Sequence, residues 1–324
     1  MSPIRAGLDP THSALRGMAQ TNSVRNHPAR ARARADRRSA AVHAAQAIAR
    51  RHGIAAEEAR VLHDANNVVV HLAPSPVVAK LCPATPGDRG WRKLAVELEI
   101  ARHLVSAGAP VVGPSPDLEP GPYVENGYGM TFWRYQDHDP NALATGSAAG
   151  LALQRVHQAL DSYPGTFPSF LDRQVSRASR TLFDETAPSA LPASECVFLR
   201  SEYLSITSAL RDTRLGCRAL HGDPHRGNLL VSQSGYLMID FESVCSGPLE
   251  WDLSALPGTG AGVFSVDADL LALLRRLRSL CVAVWCWTRS RSSTALTRVA
   301  RTHIRLLRLG ARAIRPEPGL IGWM

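Results

Sequence analysis

The stretch Leu220–Phe241 reads LHGDPHRGNLLVSQSGYLMIDF, and its interpretation decides the fold. Leu229-Leu230-Val231 and Tyr236-Leu237-Met238-Ile239 are short apolar runs suited to strands. Ser232-Gln233-Ser234-Gly235 between them is turn chemistry, and Gly235 can supply a positive φ. A hairpin centred between Gln233 and Ser234 sets Asn228 almost opposite Asp240, with Asp223 one loop upstream. An acid, an amide and a second acid then converge at one end of a small ribbon. Three such residues at one place exceed what a polar turn with an Asx cap requires. The set suits a Mg²⁺ site beside a base: hard oxygen ligands for the metal and a separate carboxylate to receive a hydroxyl proton.

The remaining composition narrows the class. A chain of 324 residues can hold two lobes and bury substantial cores. The formal charge is +9, and much of the excess lies toward the two ends. Nucleic-acid binding is therefore not implied for the body of the chain. The six cysteines form no CxxC pair and no Cys/His ligand spacing, which argues against zinc and against a disulfide framework. Reduced thiols point to the cytoplasm. The longest apolar run, Leu280–Trp287, is far too short to span a bilayer, and the N-terminus has no apolar core of a signal peptide.

Taken in order, residues 1–36 are Arg-rich and without apolar periodicity, and read as a disordered basic tail. Ala40–Arg51 is Ala-rich and helical, with Gly53 placed to end it. Val61-Leu62, Val68–Leu72 and Val77–Leu81 read as strands, the last carrying Lys80. Arg92–Ala107 reads as a helix on which Glu97 and Glu99 lie on different faces, so only one can point at Lys80. Tyr128–Trp133 is strand-like, and Trp133–His138 is the connector between lobes. Helices then dominate: Ser147–Leu160, Phe198–Arg211, a segment opening at Pro248, Asp267–Arg289 and Thr294–Ala313. The expected fold class is α+β, with a small antiparallel-sheet lobe over residues 37–135 and a mainly helical lobe over 136–324.

With these residues in hand, the chain resembles the aminoglycoside phosphotransferase and choline kinase-like family, small-molecule kinases with a protein-kinase-like fold. The resemblance covers roughly Ala40–Leu256. It rests on HGDPHRGN, on IDFE at Ile239–Glu242, on PLEWDLSAL at Pro248–Leu256, and upstream on Val-Ala-Lys, ELEIARHL and Thr131-Phe132-Trp133. These occur in family order, and Asp223 and Asn228 keep the spacing of the kinase catalytic loop. The resemblance implies that Asp223 is the catalytic aspartate and that Asn228 and Asp240 are the Mg²⁺ ligands. Lys80 would bind the nucleotide phosphates with Glu97 as its helix partner, Glu99 being the fallback. Phe132, Trp133 and Tyr135 would border the adenine, with backbone groups of Trp133–Tyr135 offered to it. His221 and Asp252 would brace the catalytic loop, and His157 is a core or bracing histidine.

The implied activity is Mg²⁺-dependent transfer of the ATP γ-phosphate, with GTP the alternative nucleotide, to a hydroxyl of a small metabolite or antibiotic. The alternative is a nucleotide-binding pseudokinase or regulatory module. Two departures stand out. His63–Asn67 lacks the glycines of a protein-kinase phosphate loop, and Glu242 follows Asp240 closely, where it could hold a water or a substrate amine. From Gly262 onward only Asp267, Asp269 and Glu317 are acidic, which argues against a highly cationic acceptor and leaves a neutral or anionic alcohol. Asp172, Asp184 and Glu185 are further acids that could contribute, while Arg226 faces either a phosphate or solvent.

Overall fold

The computed structural model describes residues 32–84, 90–139, 142, 146–184, 191–233, 235–289 and 294–310. The first helix, α1, spans residues 32–51. It starts well before the expected Ala40, so residues 32–36, which read as tail from their composition, are helical. The added turns have a partner that the local pattern does not show. Arg34, Arg37 and Arg38 reach across to the single carboxylate of Asp64, at 2.8, 3.6 and 3.0 Å. Burial works against the ionised form of Asp64, but the guanidiniums prevail and hold its pKa below the ordinary value.

Five strands follow in an antiparallel sheet of order β1-β2-β3-β5-β4: Arg60–Asp64 (β1), Val68–His71 (β2), Val77–Pro83 (β3), Tyr128–Arg134 (β5) and Tyr123–Glu125 (β4). Alternation along the strands decides what faces the cleft. Val68, Val70, Val77, Ala79, Leu81, Met130 and Phe132 pack on one face against Ala41, Ala44, Ala45, Ile48 and Ala49 of α1. The opposite face carries Val69, Val78, Lys80 and Trp133 to the cleft. An alanine-rich helix allows the close approach that a sheet covered by β-branched side chains needs.

Helix α2 (Gly90–Ser106) crosses beside β5, and its Leu98, Ile100, Ala101 and Leu104 join a core that continues beneath the cleft. That core includes Ala149, Leu153, Val156 and Leu160 of α3 (Ser147–Asp161) and Leu229 and Met238 of the hairpin. The hairpin is β7 (Leu229–Ser232) and β8 (Gly235–Met238), in the register Ser232↔Gly235 to Leu229↔Met238; the short strand β6 (Arg218–Leu220) precedes it. Ser232 thus pairs with Gly235, in keeping with the hairpin centre that the sequence implied; Ser234 lies outside the described residues.

The helical lobe is completed by α4 (Gln174–Phe183), α5 (Ala193–Arg211), α6 (Leu249–Leu253), α7 (Ala268–Thr288) and α8 (Thr294–Leu309). The sequence pattern leaves α4 unassigned, because its apolar positions Val175, Ala178 and Leu182 are few and widely set among polar residues. The residues expected at 311–313 of the last helix, and the carboxylates Glu185 and Glu317, lie outside the described residues. Among the described residues no helix is long and apolar enough to cross a membrane.

His303 on α8 is buried against α7, with Nδ1 2.7 Å from Ser279 Oγ. Burial lowers its pKa from 6.5 to about 4. Between those values the unfolded chain binds more protons than the folded one, so this contribution is complete above pH 6.5 and is lost as pH falls toward 4. Denaturant titrations should show a stability loss of up to about 3 kcal/mol across that window from this group. His303→Gln should flatten the corresponding part of the pH profile.

Candidate active site

Lys80 sits on the cleft face of β3 and is buried. Its Nζ lies 2.9 and 2.8 Å from the two carboxylate oxygens of Glu97, 2.9 Å from Asp240 Oδ1 and 2.7 Å from Glu242 Oε1. Glu97 also accepts the backbone N–H of Phe241 at 3.1 Å. Burial alone would discharge the lysine, but Asp240, Glu97 and Glu242 outweigh it and hold its pKa well above the ordinary value. Burial pushes the Glu97 carboxyl up while Lys80 pulls it down. Its described partners are all donors, which favours the carboxylate.

Helix phase settles the choice between the two glutamates. Glu97 shares a face with Leu94, Leu98, Ala101 and Leu104, all buried. Glu99 points outward and accepts from Tyr163 Oη at 2.5 Å. Glu242 Oε1 is engaged twice: besides Lys80, it accepts Asn67 Nδ2 at 2.5 Å. The grouping of Glu97, Asp240 and Glu242 has the outline of a metal cage, but the Lys80 ammonium fills its centre.

The His221–Asn228 loop follows β6. Asp252 on α6 is wholly buried and accepts the backbone N–H groups of His221 and Gly222, both at 2.8 Å, and faces His157 Nε2 at 2.7 Å. Burial opposes the charge on Asp252, but the His157 contact and nearby cations win, and its pKa is lowered. His157 thus touches the loop through Asp252. His221 touches it directly, with Nε2 3.1 Å from the Ile239 carbonyl and Nδ1 accepting the Asp223 N–H at 3.3 Å. Gly222 has φ +87°, and a Cβ there would lie 1.9 Å from the Ser243 carbonyl oxygen. Only glycine lets this loop press against the turn after Asp240.

Asn228 donates Nδ2 to the Asp223 carbonyl at 3.0 Å, which turns its Oδ1 away as an acceptor. The Ile239 N–H bonds the Asn228 carbonyl at 3.1 Å, so Asp240 follows immediately beside it. Asp240 adopts a left-handed backbone, φ +67° and ψ +70°, an uncommon state for a non-glycine residue. That turn leaves its side chain 42% exposed to the cleft despite the Lys80 contact. One carboxylate and one amide oxygen, with room for water and phosphate oxygens, is a donor set that fits Mg²⁺.

Asp223 has a partner that sequence reasoning missed. Arg278, from the middle of α7, is 3% exposed. It donates to Asp223 Oδ1 at 3.0 Å, to Ser254 Oγ at 2.6 Å, and to the carbonyls of Gly222 and Trp251 at 3.1 and 2.8 Å. Its guanidinium lies 3.9 Å from the Trp251 ring centroid. A signal was present: Leu274, Cys281 and Val282, one helical turn either side, are all apolar, which sets Arg278 inside the buried stripe.

The connector departs from expectation. Trp133 and Tyr135 line the cleft, but Phe132 is wholly buried on the α1 face of the sheet. Adjacent residues of a strand face opposite ways, so Trp133 in the cleft excludes Phe132 from it. The Arg134 and Tyr135 N–H groups are already bonded to the carbonyls of Gly113 and Pro76, at 3.0 and 2.7 Å. Arg134, Gln136 and His138 are the further connector residues on the cavity wall. Arg226, partly exposed, does not line it.

Lys80, Glu97, Trp133, Tyr135, Asp223, Asn228, Asp240 and Glu242 border one cavity of about 480 Å³ between the lobes. Asp252, Arg278, His157 and His221 stand behind its wall. The model of the phosphotransferase enzyme family matches residues 58–291. The chain belongs to the phosphotransferase enzyme family.

Solved structures similar to it include a microcompartment-associated aminopropanol kinase, with a TM-score of 0.58 and 16% identity over 80% of this chain and 94% of that one. The choline kinase LicA from Streptococcus pneumoniae matches with a TM-score of 0.55 and 15% identity over 81% of this chain and 99% of that one. The amicoumacin kinase hAmiN, in complex with AMP-PNP, Ca²⁺ and Ami, matches with a TM-score of 0.57 and 16% identity over 79% and 90%. At these identities the likeness concerns the fold, a two-lobed protein-kinase-like α+β architecture. No curated protein matches the chain in sequence.

Replacing Asp252 by Ala leaves two backbone N–H groups and His157 without their buried acceptor. Urea denaturation should register a loss of about 3–5 kcal/mol.

Proposed function

We propose that this phosphotransferase is a small-molecule kinase that moves the γ-phosphoryl group of ATP to a hydroxyl, with Mg²⁺ bound by Asn228 and Asp240. The observation that carries the reading is the meeting of Lys80, Asp240, Asn228 and Asp223 on the wall of a single cavity. Two separate lobes supply these groups, and the two outermost are held by their own buried partners: Lys80 by Glu97, Asp223 by Arg278.

The nucleotide would lie with its base against Val78, Trp133 and the connector, and its phosphates toward Lys80. Mg²⁺, when bound, neutralises charge on the phosphates. Lys80, shared among three carboxylates, can turn to the α- and β-phosphates while Glu97 keeps it in place. Asp223 orients the acceptor hydroxyl through the carboxylate oxygen that Arg278 does not hold. As the acceptor oxygen bonds to the γ-phosphorus, the bond to the bridging oxygen breaks, ADP leaves with that electron pair, and the hydroxyl proton passes to Asp223. The rate gain comes from position and fixed charge. Residues 37–135 would bind the nucleotide and 136–324 the acceptor. The described cysteines form no disulfide, which suits a cytoplasmic enzyme.

Asp223→Ala should abolish ADP formation while Mg²⁺·ATP affinity, read by calorimetry, stays within about threefold, since the substitution removes a group that acts on the acceptor. Unchanged turnover in that variant would rule the assignment out. EDTA should stop turnover in the parent chain, and added Mg²⁺ should restore it.

A further inference from the structure

Beyond Asp223 the cavity continues between α4 and α7, and this arm has a distinct chemistry. Arg173, Arg177 and Thr181 come from the start and body of α4; Val282, Trp285 and Thr288 come from α7. The sequence of α4 from Gln174 to Phe183 contains no acid, and α7 contains none after Asp269.

Four carboxylates line the whole cavity, and each faces a cation outside the arm. Glu97, Asp240 and Glu242 face Lys80, and Asp223 faces Arg278. Arg173 and Arg177 of the arm meet no carboxylate in this way among the described residues. Arg173 is tethered through Nη1 to the Glu242 carbonyl at 2.7 Å, and its Nε is buried without a hydrogen-bond partner. Arg177 is exposed at the rim and makes no side-chain hydrogen bond or ion pair among the described residues. Arg173 and Arg177 thus stand beside a wall of Trp285 and Val282 with no carboxylate among the described lining residues of α4 and α7, an arrangement that suits a bound anion.

We infer that the acceptor is an anionic alcohol: a small molecule whose carboxylate or phosphate group is held by Arg173 and Arg177, whose body packs on Trp285 and Val282, and whose hydroxyl reaches Asp223. This rests on the kinase reading and adds the charge class of the substrate to it. It also separates this chain from the neighbours named for choline and aminopropanol, both amines or ammonium compounds.

The test uses the full chain with Mg²⁺·ATP and a panel of small alcohols grouped as carboxylates, phosphate esters, uncharged compounds and amines. The panel includes 4-(hydroxymethyl)benzoate, its amide, 4-(hydroxymethyl)benzylamine and 4-(hydroxymethyl)phenyl phosphate as a matched set. Acceptor-dependent ADP formation is read for each. The best acceptors should be anions, with kcat/KM about tenfold or more above uncharged analogues and amines lowest. The carboxylate and phosphate arms show which anion is used. Arg177→Glu should raise the acceptor KM about tenfold or more and favour amines, with a much smaller change in the ATP KM. An equal rise in both KM values would put Arg177 on the nucleotide and overturn the inference. So would amines preferred over anions, or no anionic member turned over. Failure of the underlying kinase reading looks different: Mg²⁺·ATP does not bind, or ADP formation persists in Asp223→Ala.

Discussion

The structure depends on the Lys80 ammonium and the carboxylates around it. The lysine comes from β3, Glu97 from α2, and Asp240 and Glu242 from the turn after the hairpin. The three carboxylates are thus drawn from both lobes onto one cation. Burying these charges is costly, and what offsets the cost is mutual proximity plus donors such as the Phe241 and Asn67 N–H groups. Three carboxylates around one ammonium leave negative charge in excess. That imbalance sits next to Asn228 Oδ1, where a divalent cation would be most favoured. The contact between the lobes and the electrostatics that would favour a metal are therefore the same arrangement.

A second buried network performs the matching task on the helical side. Asp252 grips the backbone of the His221–Asp223 loop from α6, and Arg278 grips the Asp223 side chain and the Gly222 carbonyl from α7. Arg278 is itself fixed by Ser254 and the Trp251 ring. The Asp223 carboxylate is thus set by helices packed deep in the lobe rather than by its own loop. Such a brace keeps one carboxylate oxygen engaged while leaving the other toward the cavity, which is what orientation of a hydroxyl requires.

The hinge between these networks is more constrained than a flexible linker. Arg134 and Tyr135 bond the loops at Gly113 and Pro76, and His71 stacks on Tyr135 with centroids 3.8 Å apart. At the other side, the α1 arginines pin Asp64 and the carbonyls of Ala65 and Asn66 in the β1–β2 turn. That turn borders the Lys80 end of the cleft and lacks the glycines common in kinase phosphate loops. External guanidiniums hold its shape, where glycine-rich loops rely on backbone freedom.

The sequence by itself determined the hairpin, the order of the lobes, and the residues Lys80, Asp223, Asn228, Asp240, His221 and Asp252 as the ones to look for. Each of these sits in a short pattern whose local geometry is nearly obligatory: a two-residue turn, a strand of period two, a loop of fixed spacing. Strand alternation could also have excluded Phe132, and the apolar stripe of α7 could have exposed Arg278 as a buried charge. Other features were decided only by tertiary structure. The helical state of residues 32–36 goes with Asp64, a residue of another element. The commitment of Glu242 to Lys80 depends on a left-handed turn at Asp240, and the loss of the Tyr135 N–H depends on the Pro76 carbonyl. The cationic arm of the cavity arises because α4 and α7, distant in the chain, face each other across it. Local pattern fixes which way a side chain leaves its own element; only packing of distant elements fixes which partner it meets.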